Sequence, residues 1–578
     1  MKKIPSIGQG DGAVRTEQNG ETLEQKDKKP VLRDNREILV RDLHSFSGKE
    51  ILDRILEYDN PQEIVQDLPY EDFFWLVKKV GEDDCLPLLE LGSVDQWQYL
   101  LDLEIWEKDR LDVTHISRWI KQLQQADSKR LVRWLFSEGE LLTYYHFFKS
   151  IEVIIKAEDE VLDLADGFFS LDGVFYIRVT DSEHREFIEH IIRVMAREDF
   201  DRYQALILGL VGVLPAELEE EMYRLRNVRL AEHGFLPFED AVSIYAPLDP
   251  ETLNIEKRPE LPDVFSDEDI RDIIPISPLY HAGAKTMLTE ATSRITDPLF
   301  LDKIRLEFAG LCNQILSADN LLVNEFEVLI RTCRKAAGYV NLALERICGR
   351  DISKAQQLLK SQSLVSLFRV GFGLALKLKW EAERWLEGSW FYGLGLDTEF
   401  WGEDWRGILA GLVTKRPRRY VGLQEGEEYG DFEWLSELAE CLQVLRRLMV
   451  LDSLLERLAE HYQINVDMIK SSEQTFRQLL FNLWARLLLN LEPSFSRISL
   501  KQTRSFFRLL RAGGKRAPYK MPGFEETFVN DFMAYAADSD PEAASILEDT
   551  LSLIWQEFRE EYERVSLRDL DERYSKFI

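Results

Sequence analysis

Between Asn60 and Asp112 the chain reads NPQEIVQDL, PYEDFFWLVKKV, GEDDCLPLLEL and GSVDQWQYLLDLEIW, each segment opening on a helix-start signal 9 to 12 residues after the last. Helices this short are marginal alone in water, so each must bury its apolar face on its neighbours. That constraint predicts a superhelix of short helical repeats over residues 41–160, a binding surface rather than a catalytic pocket.

The start signals have distinct chemistry. At Asn60-Pro61-Gln62-Glu63, Asn caps, Pro takes the first helical position and Glu63 reaches back. Ser93-Val94-Asp95-Gln96 spells a Ser-x-x-Gln capping box. Glu71 and Asp72 after Pro69 place carboxylates in a first turn, where the helix dipole favours them. Pro87 is tolerated only if its helix starts near Asp84. The pattern continues less regularly through Trp119 and Trp134 to about Lys156.

Around these repeats the chain divides further. Residues 1–40 are polar and glycine-containing and predict a disordered tail. In a middle region, 161–250, FFSLDGVFYIRV (168–179) predicts a hairpin turning at Asp172-Gly173. Leu214-Pro215 opens a helix whose expected buried stripe is Leu214, Leu218, Met222, Leu225 and Val228. A proline-rich acidic linker is expected at 251–278, and a large helical domain at 279–578. The fold class predicted is mainly α.

A net charge of −31 opposes general nucleic-acid affinity, because phosphate would be repelled by most of the surface. The five cysteines show no CxxC pair, which suits a reducing cytoplasm. No apolar stretch reaches the roughly 18 to 20 residues of a membrane span. The opening MKKIPSIGQGDG lacks the apolar run of a secretory signal.

Catalytic constellations are mostly missing. Gly513-Gly514-Lys515 lacks the earlier glycine and following hydroxyl of a phosphate loop, and no Gly-x-Ser-x-Gly elbow occurs. Glu186 and His190 lie one helical turn apart, but two ligands from one helix do not make a metal site. The expectation is therefore no catalytic residue, no cofactor and no metal, with an enzyme of unrecognised type left open.

Two features stand out. Residues 494–520 carry eight Lys or Arg and no acid. Arg497, Lys501, Arg504, Arg508, Arg511 and Lys515 recur at intervals of four or three residues, so a helix would line them on one face. Such a face binds phosphate, nucleic acid or an anionic partner, or docks on the chain's own acidic surface. A smaller basic knot, Lys415-Arg416-Pro417-Arg418-Arg419, reads as a loop that joins such a site only if the fold brings it near. The second feature is aromatic: Trp390, Phe391, Tyr392, Trp401 and Trp405 lie in a glycine-punctuated loop. Exposed, they would anchor a protein partner; otherwise they cover the helical core.

The run LPYEDFFWLVKKVGEDDCLPLLELGSVDQWQYLLDLEIWEKDRLD resembles a family of large bacterial proteins known only as a domain of unknown function, number 6178. LDGVFYI, LPAELEEEMYRLRNVRLAEHGFLPFEDAVSIYAPLDP and LFRVGFGLALKLK resemble it too, so the likeness extends from about residue 41 onward. It implies no activity and lends no residue a catalytic role. The repeats also resemble the cytosolic helical superhelix of magnesium transporters, through Leu-Pro-x-x-Asp and Gly-x-x-Asp helix starts. Transport does not follow, because the transporters' membrane helices are lacking, and neither does magnesium sensing, which in the transporters needs a further nucleotide-binding-type domain.

The function expected is that of a cytoplasmic interaction scaffold or adaptor with an unknown protein partner and no membrane insertion. The alternative is an anion- or nucleic-acid-binding regulator using the stripe at 497–515.

Overall fold

Helices follow one another from Gly48 to Leu135 in the computed structural model, which describes residues 45–156, 165–253, 274–283, 285–321, 325–424, 427–465, 469, 474–511, 517–536, 540–570 and 577. The expected tail at 1–40, most of the expected linker at 251–278, and Lys515 lie outside these residues. The fold is mainly α, with three small antiparallel sheets among the described residues. Among those residues no helix is long and apolar enough to cross a membrane.

The described residues fall into two compact units. One takes those within Met1–Ile244, Ile255–Ala336 and Gln356–Val365; the other takes those within Tyr245–Asn254, Ala337–Ala355 and Ser366–Ile578. Each unit is built from stretches that are separated along the chain.

In the first unit the opening helices are α1 (Gly48–Leu56), α2 (Pro61–Gln66), α3 (Tyr70–Val80), α4 (Leu86–Leu91), α5 (Val94–Glu104) and α6 (Val113–Leu135). Every second helix packs together: α1 on α3 and α3 on α5 form one row, α2 on α4 and α4 on α6 another. The need is plain in the six-residue members. α2 buries only Ile64 and Val65, and α4 only Leu88 and Leu89, too little to hold an isolated helix.

The caps also tie helix to helix. Ser93 and Gln96 close the expected box, with Gln96 N–H donating to Ser93 Oγ at 3.1 Å and Ser93 N–H donating to Gln96 Oε1 at 2.8 Å. Gln96 is fully buried, and its Nε2 also donates to the carbonyls of Val65 (2.8 Å) and Leu68 (2.9 Å), satisfying acceptors where α2 ends. At Asn60 the expected box does not form. Its side-chain amide donates instead to Glu63 Oε2 at 2.6 Å. Pro87 sits in the first turn of α4, which starts at Leu86, two residues after Asp84.

Two sequence expectations in this unit need correction. The helical pattern extended to Lys156 stops at Ser150, and Ile151–Ile155 is a strand. IEVII is rich in β-branched residues, and it pairs antiparallel with Phe175–Val179, the second strand of the expected hairpin. Gly173, at φ 76°, supplies the left-handed turn residue.

The helix Pro215–Glu232 forms as expected, but Leu214 and Val228 are exposed, and of the expected stripe only Met222 is buried. A polar face docks instead. Glu219 accepts from Leu111 N–H at 2.8 Å, Arg226 donates to the Asp102 carbonyl at 2.6 Å, and Arg229 forks onto the Asp102 carboxylate at 2.7 Å through both nitrogens.

In the second unit, backbone approach decides the packing. A Cβ on Gly371 would lie 1.8 Å from the Tyr339 carbonyl oxygen, and one on Gly338 would lie 2.5 Å from that of Phe432. Further along, Phe481, Trp484, Phe528, Trp555 and Phe558 form a buried aromatic core, with Phe481 and Phe558 stacked at 4.1 Å.

Candidate functional site

The basic stripe is divided by the fold. The helix runs only from Leu500 to Leu510, capped by Ser499, so Arg497 and Arg511 flank it. Arg504 Nε donates to the Leu567 carbonyl at 3.1 Å. Arg511 donates to the carbonyls of Tyr562 (3.0 Å) and Val565 (2.7 Å) and lies over the Tyr519 ring at 4.2 Å. Both therefore hold the chain's own backbone near the end of the helix Pro541–Tyr562, where the dipole favours cations. Arg497, Lys501 and Arg508 are exposed and make no ion pair among the described residues.

This division makes a test. Arg504→Glu is expected to lower stability by about 1–3 kcal/mol, because it strands a carbonyl beside a new carboxylate. Arg508→Glu is expected to stay within about 0.5 kcal/mol. Thermal melts of the two variants check this, and equal melting temperatures would refute the docked role of Arg504.

The basic knot at 415–419 is not wholly a free loop. Arg419 begins the strand Arg419–Gln424, which pairs with Glu427–Gly430, and its Nη1 binds Glu437 at 2.6 Å. The Arg416 guanidinium lies over the Tyr245 ring at 4.0 Å.

The aromatic segment, expected as a loop, is instead a short helix (Trp390–Gly393), a 3-10 turn (Thr398–Trp401) and the start of the helix Glu403–Val413, and it is mostly turned inward. Phe391, Trp401 and Trp405 are buried, with Trp401 at 5.3 Å and Trp405 at 5.1 Å from the Phe476 ring. Trp390 is half-buried, and only Tyr392, 60% exposed, presents a large surface. Of the two arrangements the sequence left open, Phe391, Trp401 and Trp405 take the one that covers the core, and of the five only Tyr392 is exposed. Asp452 pins the segment from below, accepting from Trp390 N–H at 2.8 Å and Phe391 N–H at 3.0 Å. Burial pushes its carboxyl up to about 6 against those bonds. Glu186 and His190 are both exposed. Among the described residues no group of three His, Cys, Asp or Glu is placed to hold a metal ion.

The arrangement with the most chemistry lies in the opening repeats themselves. A cleft of about 380 Å³ is lined by Lys78, Gly81, Glu82, Glu104, His115, Arg118, Trp119 and Glu325. Gly81, at φ 98°, ends α3 and turns the chain so that Glu82 reaches back to Lys78. Glu104 is the last residue of α5. Asp112 caps α6, accepting from His115 N–H at 2.9 Å, and His115, Arg118 and Trp119 then share one face of its first turns. Gln122 holds the turn against α6 by donating to the Glu82 carbonyl at 2.9 Å.

Charge alternates across this cleft. The Lys78 ammonium, 1% exposed, lies 2.6 Å from Glu104 Oε1 and 2.9 Å from Glu82 Oε1. Arg118, its side chain 44% exposed, contacts the other oxygen of Glu82 at 2.8 Å and Asp83 Oδ1 at 3.4 Å. Burial pushes the Glu104 carboxyl up to about 7, while Lys78 and a hydrogen bond from Trp119 pull it down. A buried carboxyl titrating near neutrality in a cleft is the environment in which proton-transfer and ligand-binding groups are found. Sequence reasoning passed over these residues. The available signal was Lys78 and Glu82 at i, i+4 across a glycine, a spacing that most often marks a solvated surface pair.

No curated protein and no solved structure matches the chain. The sequence model described as a family of unknown function, DUF6178, matches residues 33–578, and the chain belongs to that family.

Proposed function

We propose that the protein is a non-catalytic interaction scaffold of the cytoplasm whose recognition surface lies on its first unit. One observation carries this reading. Leu208, Val211 and Leu214 are 56%, 71% and 58% exposed, and they follow one another at three-residue spacing from the end of the helix Phe200–Gly209 to the start of Pro215–Glu232. Leu206 and Ile207 just before them and Leu210 between them are buried, so the segment is anchored while its outer edge stays apolar. Clustered exposed apolar side chains mark contact sites far more often than scattered ones do. The described cysteines are all free and buried, which supports a reducing compartment.

The test compares the full chain with Leu208→Ser/Val211→Ser/Leu214→Ser as baits in native lysate. The reading expects a protein retained stoichiometrically by the parent and lost by the variant, with the melting temperature unchanged. Identical retained sets, or none with either bait, would overturn it.

A second reading, binding of an anionic partner, is favoured by Arg497, Lys501 and Arg508, which are exposed and have no ion pair among the described residues. It expects salt-sensitive binding to a phosphate polymer that charge reversal at these three positions abolishes.

A further inference from the structure

We propose that the cleft between α3, α5 and α6 is a binding site for a small molecule carrying a primary ammonium group. Its size suits a compact metabolite rather than a polymer. The lining carries two fixed cations, Lys78 and Arg118, against three carboxyl groups, Glu82, Glu104 and Glu325, so with all three ionised the acids outnumber these cations by one. Both cations are already engaged by carboxylates, Lys78 at 2.6 and 2.9 Å and Arg118 at 2.8 and 3.4 Å, so a lone anion finds only the outer face of the Arg118 guanidinium. An incoming cation meets acceptors with directions to spare. Each carboxylate offers about four lone-pair directions, and Glu82 and Glu104 have spent only part of theirs. The exposed Glu325 has no ion pair among the described residues.

The protein's own chemistry shows what these acceptors take. Glu82 and Glu104 converge on one ammonium, that of Lys78, and a ligand ammonium completes the balance that Glu325 leaves open. Trp119, itself 2% exposed, backs the cleft, its side chain hydrogen-bonded to Glu104. The chain's net charge of −31 raises the local concentration of cations before contact.

Two kinds of molecule share this chemistry, a free alkyl amine and the amino group of an amino acid. Arg118 separates them, because its guanidinium, bound through Nη1 to Glu82 and through Nη2 to Asp83, has further N–H donors for a ligand carboxylate.

Calorimetric titration of the full chain with 1,5-diaminopentane and with lysine tests the proposal, with acetate and phosphate as controls. Saturable binding of at least one amine is expected, weakened roughly tenfold or more by Glu82→Gln. Arg118→Gln should weaken lysine alone if the ligand is an amino acid, and leave both amines unaffected if it is an alkyl amine. Should Glu82→Gln prove unstable, Glu325→Gln at the exposed lip gives the same test. Failure of both amines to bind at millimolar concentration, preferential binding of acetate or phosphate, or unchanged binding in both carboxamide variants would overturn it.

Discussion

Gly371→Ala is expected to cost about 3 kcal/mol or more, and to abolish a cooperative thermal transition of the second unit. The added Cβ would meet the Tyr339 carbonyl oxygen at 1.8 Å and its carbonyl carbon at 2.7 Å. Neither atom belongs to a flexible side chain, so relief requires the helix Leu364–Gly388 to move away from the helix Phe326–Cys348. Such a move would open the packing of Tyr339 against Phe368 (5.3 Å) and Phe372 (5.2 Å), all essentially fully buried. Gly388→Ala, with open space around its Cβ, is the control and should melt within about 0.5 kcal/mol of the parent. Differential scanning calorimetry decides, and equal melting temperatures for the two variants would contradict the close approach.

The second large effect is pH-dependent. Lys78→Met leaves Glu104 buried without its ammonium, and breaking a buried pair from one side costs on the order of 3–5 kcal/mol. The sign follows from the carboxyl's position. Its folded value of about 7 lies above the ordinary 4.5. The stability this carboxyl contributes is therefore fully present below the unfolded value and is lost as pH rises through the folded one. Removing Lys78 raises the folded value further.

The variant should thus lie close to the parent at pH 5, where Glu104 is protonated, and fall well below it at pH 8. Lys78→Met/Glu104→Gln should recover most of the loss at pH 8, since no buried charge is then left unpaired. Melting temperatures from pH 5 to pH 8 test this; a pH-independent difference would show that packing of the lysine stem, not Glu104, is responsible.

The repeats were legible because their determinants are local. A serine three residues before a glutamine, or a proline at the first helical position, acts through hydrogen bonds and φ restrictions within one turn. The starts of α2, α3 and α5 accordingly fall where the spacing puts them. The hairpin at Asp172-Gly173 was legible for the same reason. Ile151–Ile155 was not, because a β-branched run becomes a strand only when a partner arrives, and its partner is Phe175–Val179.

The inward face of Pro215–Glu232 was also hidden. Hydrophobic periodicity pointed to Leu214 and Val228, yet Arg226 and Arg229 turn inward because the carbonyl and carboxylate of Asp102 await them more than a hundred residues upstream in the sequence.

What the sequence alone determined is the class of the molecule: mainly α, with stacked short helices, membership in a family of unknown function, and a basic segment in an acidic chain. What only the tertiary structure decided is which charges are spent and which remain. Arg504 and Arg511 are consumed by backbone carbonyls and Phe391, Trp401 and Trp405 by the core, while Lys78, Glu82, Glu104 and Arg118 converge on a cleft. The physical reason is range. Helix starts depend on neighbours within about four residues, whereas the state of a charge depends on what lies within a few ångströms in space, however distant in the chain.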